Sequence, residues 1–261
     1  MGELWFVGLG LSDERGLSER ARAALADAGE VFAEEYTAVA PAGTVDRLAT
    51  GLGRPIRRLD RPLLESERPI LEALGRSERV ALLVVGDPFA ATTHVALRLA
   101  AERAGHRWRY IPAASILTAA VGFLGLMHYR CGRTVSLPIP APGFEPISPW
   151  EQIAANAGRG LHTLVLLDLR PEEGRYLTAA EALRLLRARD PEARFLPRGA
   201  DVAVAARVGR DDADGWIGPV EPLAEADFGA PPHVLVVPAP ELHFEEAAAI
   251  RRFRWPRPDG R

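Results

Sequence analysis

The chain has no lysine, so all 32 of its basic side chains are arginine. Gln152 and Asn156 are its only side-chain amides, Met1 and Met127 its only methionines, and Cys131 its only cysteine. A single cysteine cannot close an internal disulfide, and it excludes a multi-cysteine zinc site. The six histidines leave a His or carboxylate site formally open, but none falls in HExxH or a similar spacing, and no metal is expected. Scarcity of Asn, Gln, Cys and Met suits heat resistance, whereas loss of Lys runs against the hyperthermophile trend; biased codon usage is the simpler explanation. No apolar run approaches the ~20 residues of a membrane span. Met1 to Gly10 has no basic region ahead of an apolar core, as a signal peptide would. The expectation is therefore a soluble, cytoplasmic protein with no membrane partner. An excess of positive charge is also missing: the net charge is −3. This argues against a body that grips nucleic acid through many phosphates, although a local basic patch stays possible.

What is present is enough apolar material, 48% of 261 residues, for one large domain or two small ones. The organising stretch is Val80 to His94, VALLVVGDPFAATTH. Val80 to Val85 lack the alternation of a half-wet strand, which predicts a strand covered on both faces, as in a parallel sheet flanked by helices. Gly86 and Pro88 break it, and a helix begins near Thr93. Strand, loop and helix in this order place a ligand just beyond the strand's carboxyl end.

The first strand is Leu4 to Leu9, followed by GLGLSDERGLS and a helix from Ser18 to Ala28. The glycines invite a dinucleotide reading, but Asp13 occupies the position of the third fingerprint glycine, and a ligand without phosphates suits the turn better. A short strand at Val31 to Ala33 ends in Glu34-Glu35-Tyr36-Thr37. Helices are predicted at Thr44 to Leu52 and Leu63 to Arg76, around a short strand at Ile56 to Leu59, with a fifth strand at Trp108 to Ile111. This alternation predicts a parallel sheet with right-handed crossovers. Ala113-Ala114-Ser115-Ile116 opens a helix to about Leu124, with Ser115 as N-cap or ligand contact, and the junction reads as an interdomain hinge. From Val135 a proline-rich irregular connection is expected. A helix at Pro149 to Ala157 follows, then a strand at Thr163 to Leu169 and a helix at Ala179 to Ala188. Strands at Val202 to Val208, Trp216 to Val220 and Val234 to Val237 indicate a mixed sheet. A last helix, Leu242 to Arg252, ends in a frayed Arg/Pro tail.

Taken together, GLGL at Gly8 to Leu11, EEYT at Glu34 to Thr37, GDPFAATTH at Gly86 to His94 and ASI at Ala114 to Ile116 resemble the diphthine synthases. RGLHTLVLLD at Arg159 to Asp168, PPHVLVVP at Pro231 to Pro238 and ELHFEEA at Glu241 to Ala247 extend the resemblance from Leu4 to about Ala248. It implies two α/β domains of the tetrapyrrole methylase type, an N-terminal one at 1–113 with a parallel sheet and a C-terminal one at 114–261 with a mixed sheet. S-adenosylmethionine would bind in the cleft between them, leaving S-adenosylhomocysteine as product. The implied reaction methylates the amino group of a 3-amino-3-carboxypropyl chain on one histidine of translation elongation factor 2, in diphthamide biosynthesis, by a homodimer. Cofactor contacts would fall on Leu11, Asp87, Ala90, Ser115, Ile116, Leu167, Val208 and His233. Asp87 could instead only cap its turn, and His233 could only order its strand.

Methyl transfer to nitrogen depends on alignment more than on acid-base chemistry, since holding reactants in attack geometry supplies on the order of 7 kcal/mol or more. No general base is therefore assigned. Glu34 or Glu35 could favour the amino group electrostatically, with Tyr36 or Tyr129 presenting a π face. The rival readings are a methylase of the same class acting on a cobalamin precursor or RNA, a dinucleotide-dependent oxidoreductase, and a non-catalytic cofactor sensor.

Overall fold

A computed structural model describes residues 1–144 and 146–256 of the chain. It divides into two compact units: Met1–Ile116 with Pro171–Glu173, and Leu117–Arg170 with the described residues from Gly174 on.

In the first unit, β1 (Glu3–Gly8), β2 (Glu30–Glu34), β3 (Arg57–Leu59), β4 (Arg79–Val84) and β5 (Arg107–Ile111) form an all-parallel sheet in the order β3-β2-β4-β1-β5. The helices are α1 (Glu19–Asp27), α2 (Thr44–Leu52), α3 (Arg61–Glu65), α4 (Arg68–Arg76) and α5 (Val95–Arg103). The uniform hydrophobicity of β4 has the cause inferred from it. Val80, Leu82 and Val84 pack with Leu4, Phe6 and Phe32 on one face, while Ala81 and Leu83 pack with Trp5, Val7 and Val31 on the other. Connections leaving the adjacent strands β1 and β4 run in opposite directions across the sheet, the switch point at which open α/β sheets hold ligands.

The single helix expected over Leu63 to Arg76 is two helices. Pro69 has no N–H to continue the ladder, and Glu67 turns the chain at φ 59° just before α4, in whose first turn Pro69 stands.

In the second unit, α6 (Ile116–Phe123) leads to β6 (Val135–Leu137), α7 (Ser148–Ala157), β7 (Thr163–Leu167) and a short hairpin of β8 (Leu169–Arg170) and β9 (Arg175–Tyr176). Then come α8 (Ala179–Ala188), β10 (Asp201–Ala206), β11 (Asp214–Pro219), α9 (Val220–Leu223), β12 (His233–Val237) and α10 (Phe244–Ala249). The sheet order is β11-β10-β12-β7-β6. It is mixed, because only β6 and β7 run parallel. Trp150, Val165, Leu183, Val204, Trp216 and Leu235 belong to its core.

Strand β6 lies where an irregular connection was expected: three edge residues with alternating burial leave too short a signal among prolines. The closing helix is shorter than expected, its last turn tightening into a 3-10 helix at Ile250–Phe253. The tail does not fray at its start, since Trp255 N–H donates to Ile217 O at 2.8 Å and Arg254 pairs with Asp201. Residues 257–261 lie outside the described residues.

Candidate functional site

At the carboxyl edge of the first sheet, three strand ends are drawn together by backbone. A Cβ on Gly8 would lie 2.6 Å from Ala113 Cβ and 2.9 Å from Gly86 O, so only glycine admits this approach. Gly10 and Gly86, both at positive φ, exchange hydrogen bonds: Gly86 N–H to Gly10 O at 2.8 Å and Gly10 N–H to Gly86 O at 3.2 Å.

Asp87 then ties the loop after β4 to the end of β5. Its Oδ1 accepts from Phe89 N–H at 3.0 Å, and its Oδ2 accepts from Ala113 N–H at 3.2 Å and from the Tyr110 hydroxyl. Burial, reinforced by the Asp87 hydrogen bond and charge, pushes the Tyr110 phenol up to about 12, so it stays a donor. The Phe89 ring anchors the same loop against Phe6 (4.9 Å between centroids) and Tyr110 (5.1 Å). Asp87 thus does cap its turn, but it also bridges two strand ends. Ala90 N–H donates to Asp87 O at 3.2 Å, Leu11 follows Gly10, and Ser115 and Ile116 follow Ala113. The structure therefore brings Leu11, Asp87, Ala90, Ser115 and Ile116 to one edge. All five are only partly buried, leaving surface to offer a ligand.

In the second unit, register does the same for the other three positions. β12 runs antiparallel between β10 and β7, pairing His233 with Ala206 and Val234 with Leu166. The carboxyl ends of β7 and β10 and the amino end of β12 consequently share one sheet edge, which gathers Leu167, Val208 and His233. The His233 ring is 9% exposed; its Nδ1 accepts from Ala179 N–H at 3.1 Å, at the start of α8. In the neutral ring the proton then sits on Nε2, which faces the backbone of Phe228, Gly229 and Ala230.

Histidine 162 is the contrast. It is fully buried; Nδ1 accepts from Ala239 N–H at 2.8 Å and Nε2 donates to Glu246 Oε1 at 2.8 Å. Its role is structural. Burial holds His162 below the ordinary imidazole value of 6.5, and burial with repulsion from Arg207 does so for His233. Below pH 6.5 the unfolded chain therefore binds more protons than the folded one, and stability present above that value is lost toward the folded pKa values. Melting temperature is expected to fall between about pH 7.5 and about pH 5.5, with a shallower slope for His233→Gln by calorimetry.

The EEYT loop is held in shape by its own first carboxylate. The Glu34 carboxylate is buried and accepts from Tyr36 N–H (2.7 Å), Thr37 N–H (2.5 Å) and Thr37 Oγ1–H (2.8 Å), so it shapes the loop. Glu35 pairs with Arg58 at 2.7 Å, and Tyr129 is 79% exposed. Sequence reasoning missed Tyr110, whose only signal is its place at the end of β5, and the tautomer of His94. The His94 ring is 2% exposed; Nδ1 stands 2.7 Å from Pro88 O, to which it must donate, so the neutral ring carries a bare Nε2 lone pair.

Comparison with known proteins matches residues 3–224 to the family model of the tetrapyrrole (corrin/porphyrin) methylases. The chain is 41% identical over 246 residues to the diphthine synthase of Methanothermobacter thermautotrophicus, covering 94% of this chain and 92% of that one. It is 42% identical over 248 residues to the diphthine synthase of Haloquadratum walsbyi, covering 94% and 93%. A crystal structure of a diphthine synthase superposes with a TM-score of 0.88 at 35% identity, over 97% of this chain and 96% of that one.

Proposed function

Because the chain belongs to the tetrapyrrole methylase family, and within it to the diphthine synthases, we propose that it takes S-adenosylmethionine and translation elongation factor 2 as its substrates. Its activity is that of an S-adenosylmethionine-dependent methyltransferase of diphthamide biosynthesis. The acceptor is the amino group of the 3-amino-3-carboxypropyl chain on the factor's modified histidine. The observation that carries this reading is the extent of the likeness: 94% of the chain, which includes both units.

The residues present fit the cofactor. S-adenosylmethionine has an amino acid end, a ribose and an adenine but no phosphate, so it calls for backbone groups, apolar walls and a few donors and acceptors. Gly8, Gly10 and Gly86 leave the strand ends without side chains where a ligand approaches. Leu11, Ala90 and Ile116 would supply apolar walls at the edge of the first unit's sheet, and Leu167 and Val208 are proposed for the same role at the edge of the second unit's own sheet. Ser115 and Asp87 would hydrogen bond the ligand, and His233 Nε2–H would be a further donor. When bound, the cofactor supplies a methyl carbon activated by the positive charge on sulfur. The chain's own contribution is to hold and align the reactants and exclude water, which can lower the barrier by on the order of 7 kcal/mol. None of the eight residues is assigned as a base.

A cytoplasmic homodimer completes the proposal. Among the described residues no helix is long and apolar enough to cross a membrane.

Calorimetry with S-adenosylhomocysteine should show one site per chain. Ligand at a hundred times its Kd should stabilise the fold by about 2.7 kcal/mol. Stabilisation by NAD, with none by S-adenosylhomocysteine, would return the glycine-rich turn after β1 to the dinucleotide reading.

A further inference from the structure

A cavity of about 90 Å³ opens in the first unit beside the loop that carries Asp87, lined by Tyr36, Leu64, Glu65, Glu67, Thr93 and His94 among others. A water molecule's share of liquid volume is about 30 Å³, so the space has room for several waters or for a small group such as a methylated amine. Its surroundings are mostly negative. Glu65 and Glu67 line it and the buried Glu34 lies behind His94, with Arg61, paired to Glu65 at 2.9 Å, as the nearby cation. Glu67 is held at φ 59°, a conformation that costs a non-glycine residue energy and survives only where the surroundings enforce it. Tyr36 contributes an aromatic wall, and the Arg61 guanidinium lies over its ring at 5.7 Å from the centroid.

The decisive group is His94. Its Nδ1–H is committed to Pro88 O, and the ring is 98% buried by the complement of its 2% exposure. Nε2 has no hydrogen-bond partner, the nearest carboxylate oxygen being Glu34 Oε2 at 3.8 Å, beyond bonding distance. A buried acceptor left without a donor is costly, so a group that brings an N–H into the cavity would be favoured at Nε2.

We propose that this cavity receives the acceptor's amino group, with His94 Nε2 accepting an N–H of the neutral amine and the Glu34, Glu65 and Glu67 carboxylates favouring the positive charge that develops on nitrogen as the methyl is transferred. The proposal rests on the methyltransferase reading for the identity of the amine. An N–H directed at Nε2 fixes the orientation of the nitrogen lone pair, which makes His94 a positioning residue that touches substrate. A primary or partly methylated amine can make this bond. A quaternary ammonium, having no N–H, cannot, and this difference favours release of a fully methylated nitrogen.

The first test needs no cofactor. The full chain labelled with ¹⁵N-histidine is titrated with methylammonium chloride, with sodium chloride as the ionic-strength control and tetramethylammonium chloride as the cation without N–H. A saturable shift of the His94 Nε2 resonance with methylammonium alone is expected. Equal, non-saturating responses to all three salts would overturn the proposal. In His94→Asn, the amide N–H replaces Nδ1–H toward Pro88 O but nothing replaces Nε2. The acceptor KM should rise at least about tenfold with S-adenosylhomocysteine affinity kept within about twofold. Unchanged KM, or equal loss of both affinities, would make His94 only a support for the loop. Failure of S-adenosylhomocysteine to bind the unaltered chain would refute the methyltransferase reading separately, since the salt titration does not depend on it.

Discussion

Glu246→Ala is expected to destabilise the second unit by about 3–5 kcal/mol, the usual cost of breaking a buried charge network by removing one member. Glu246 is 0% exposed at the start of α10, and its carboxylate is fully used. Oε1 accepts from Met127 N–H at 2.8 Å and His162 Nε2–H at 2.8 Å, while Oε2 accepts from His243 N–H at 2.9 Å and from Arg130. Burial opposes its charge, but the hydrogen bonds from Met127, His243 and His162 outweigh that and hold the carboxyl below its ordinary range. Alanine would leave the His162 N–H and two backbone donors without an acceptor and leave the Arg130 guanidinium only its bond to Glu241 O. Glu246→Gln keeps one acceptor oxygen and should lose less. Urea unfolding followed by tryptophan fluorescence checks both, since Trp150 and Trp216 lie in this unit's core. A loss below about 1 kcal/mol for the alanine variant would mean that water replaces the network.

Asp87→Ala is expected to weaken S-adenosylhomocysteine binding about 100-fold with little change in global stability. The carboxylate makes three hydrogen bonds, to Phe89 N–H, Ala113 N–H and the Tyr110 hydroxyl. At about 1 kcal/mol each, their loss releases the free loop by about 3 kcal/mol, which binding must then restore, or roughly two factors of ten in an affinity. The loss is expected in binding because the bonds fix loops at a strand edge, whereas the sheet beneath is packed on both faces by other residues. Tyr110→Phe removes one of the three and should cost about tenfold or less. Calorimetry that found Asp87→Ala binding as tightly as the unaltered chain would remove the loop from the cofactor site.

The parts of the fold that were legible are those in which local pattern and tertiary environment agree. β4 reads as a strand covered on both faces because it is one. α8 begins where Thr178 and Glu181 form a reciprocal cap, and Arg175 as first cause, with Thr178, holds the Glu181 carboxyl down to about 2. The break at Glu67 was legible in principle from Pro69, but the apolar spacing around it is helical. β6 was not legible, because a three-residue edge strand is defined by its pairing with β7 rather than by its own residues. The site shows the same division. Gly86 and Asp87 mark the turn after β4 locally, whereas the proximity of Leu167, Val208 and His233 depends on β12 lying antiparallel between two strands. The Glu246 network joins residues as far as 119 positions apart. Which His94 nitrogen is bare depends on Pro88 O, a backbone atom that no side-chain pattern reports.

The most direct test is the mass of one peptide. Elongation factor 2 carrying the 3-amino-3-carboxypropyl-histidine is incubated with S-adenosylmethionine and this protein, with unmodified factor as control, and the histidine peptide is weighed. The account predicts a gain of one or more methyl masses on the premodified histidine alone, and the size of the gain counts the transfers. No gain on that histidine, from a preparation that binds S-adenosylhomocysteine, would contradict the assigned acceptor and direct the search to tetrapyrroles or RNA.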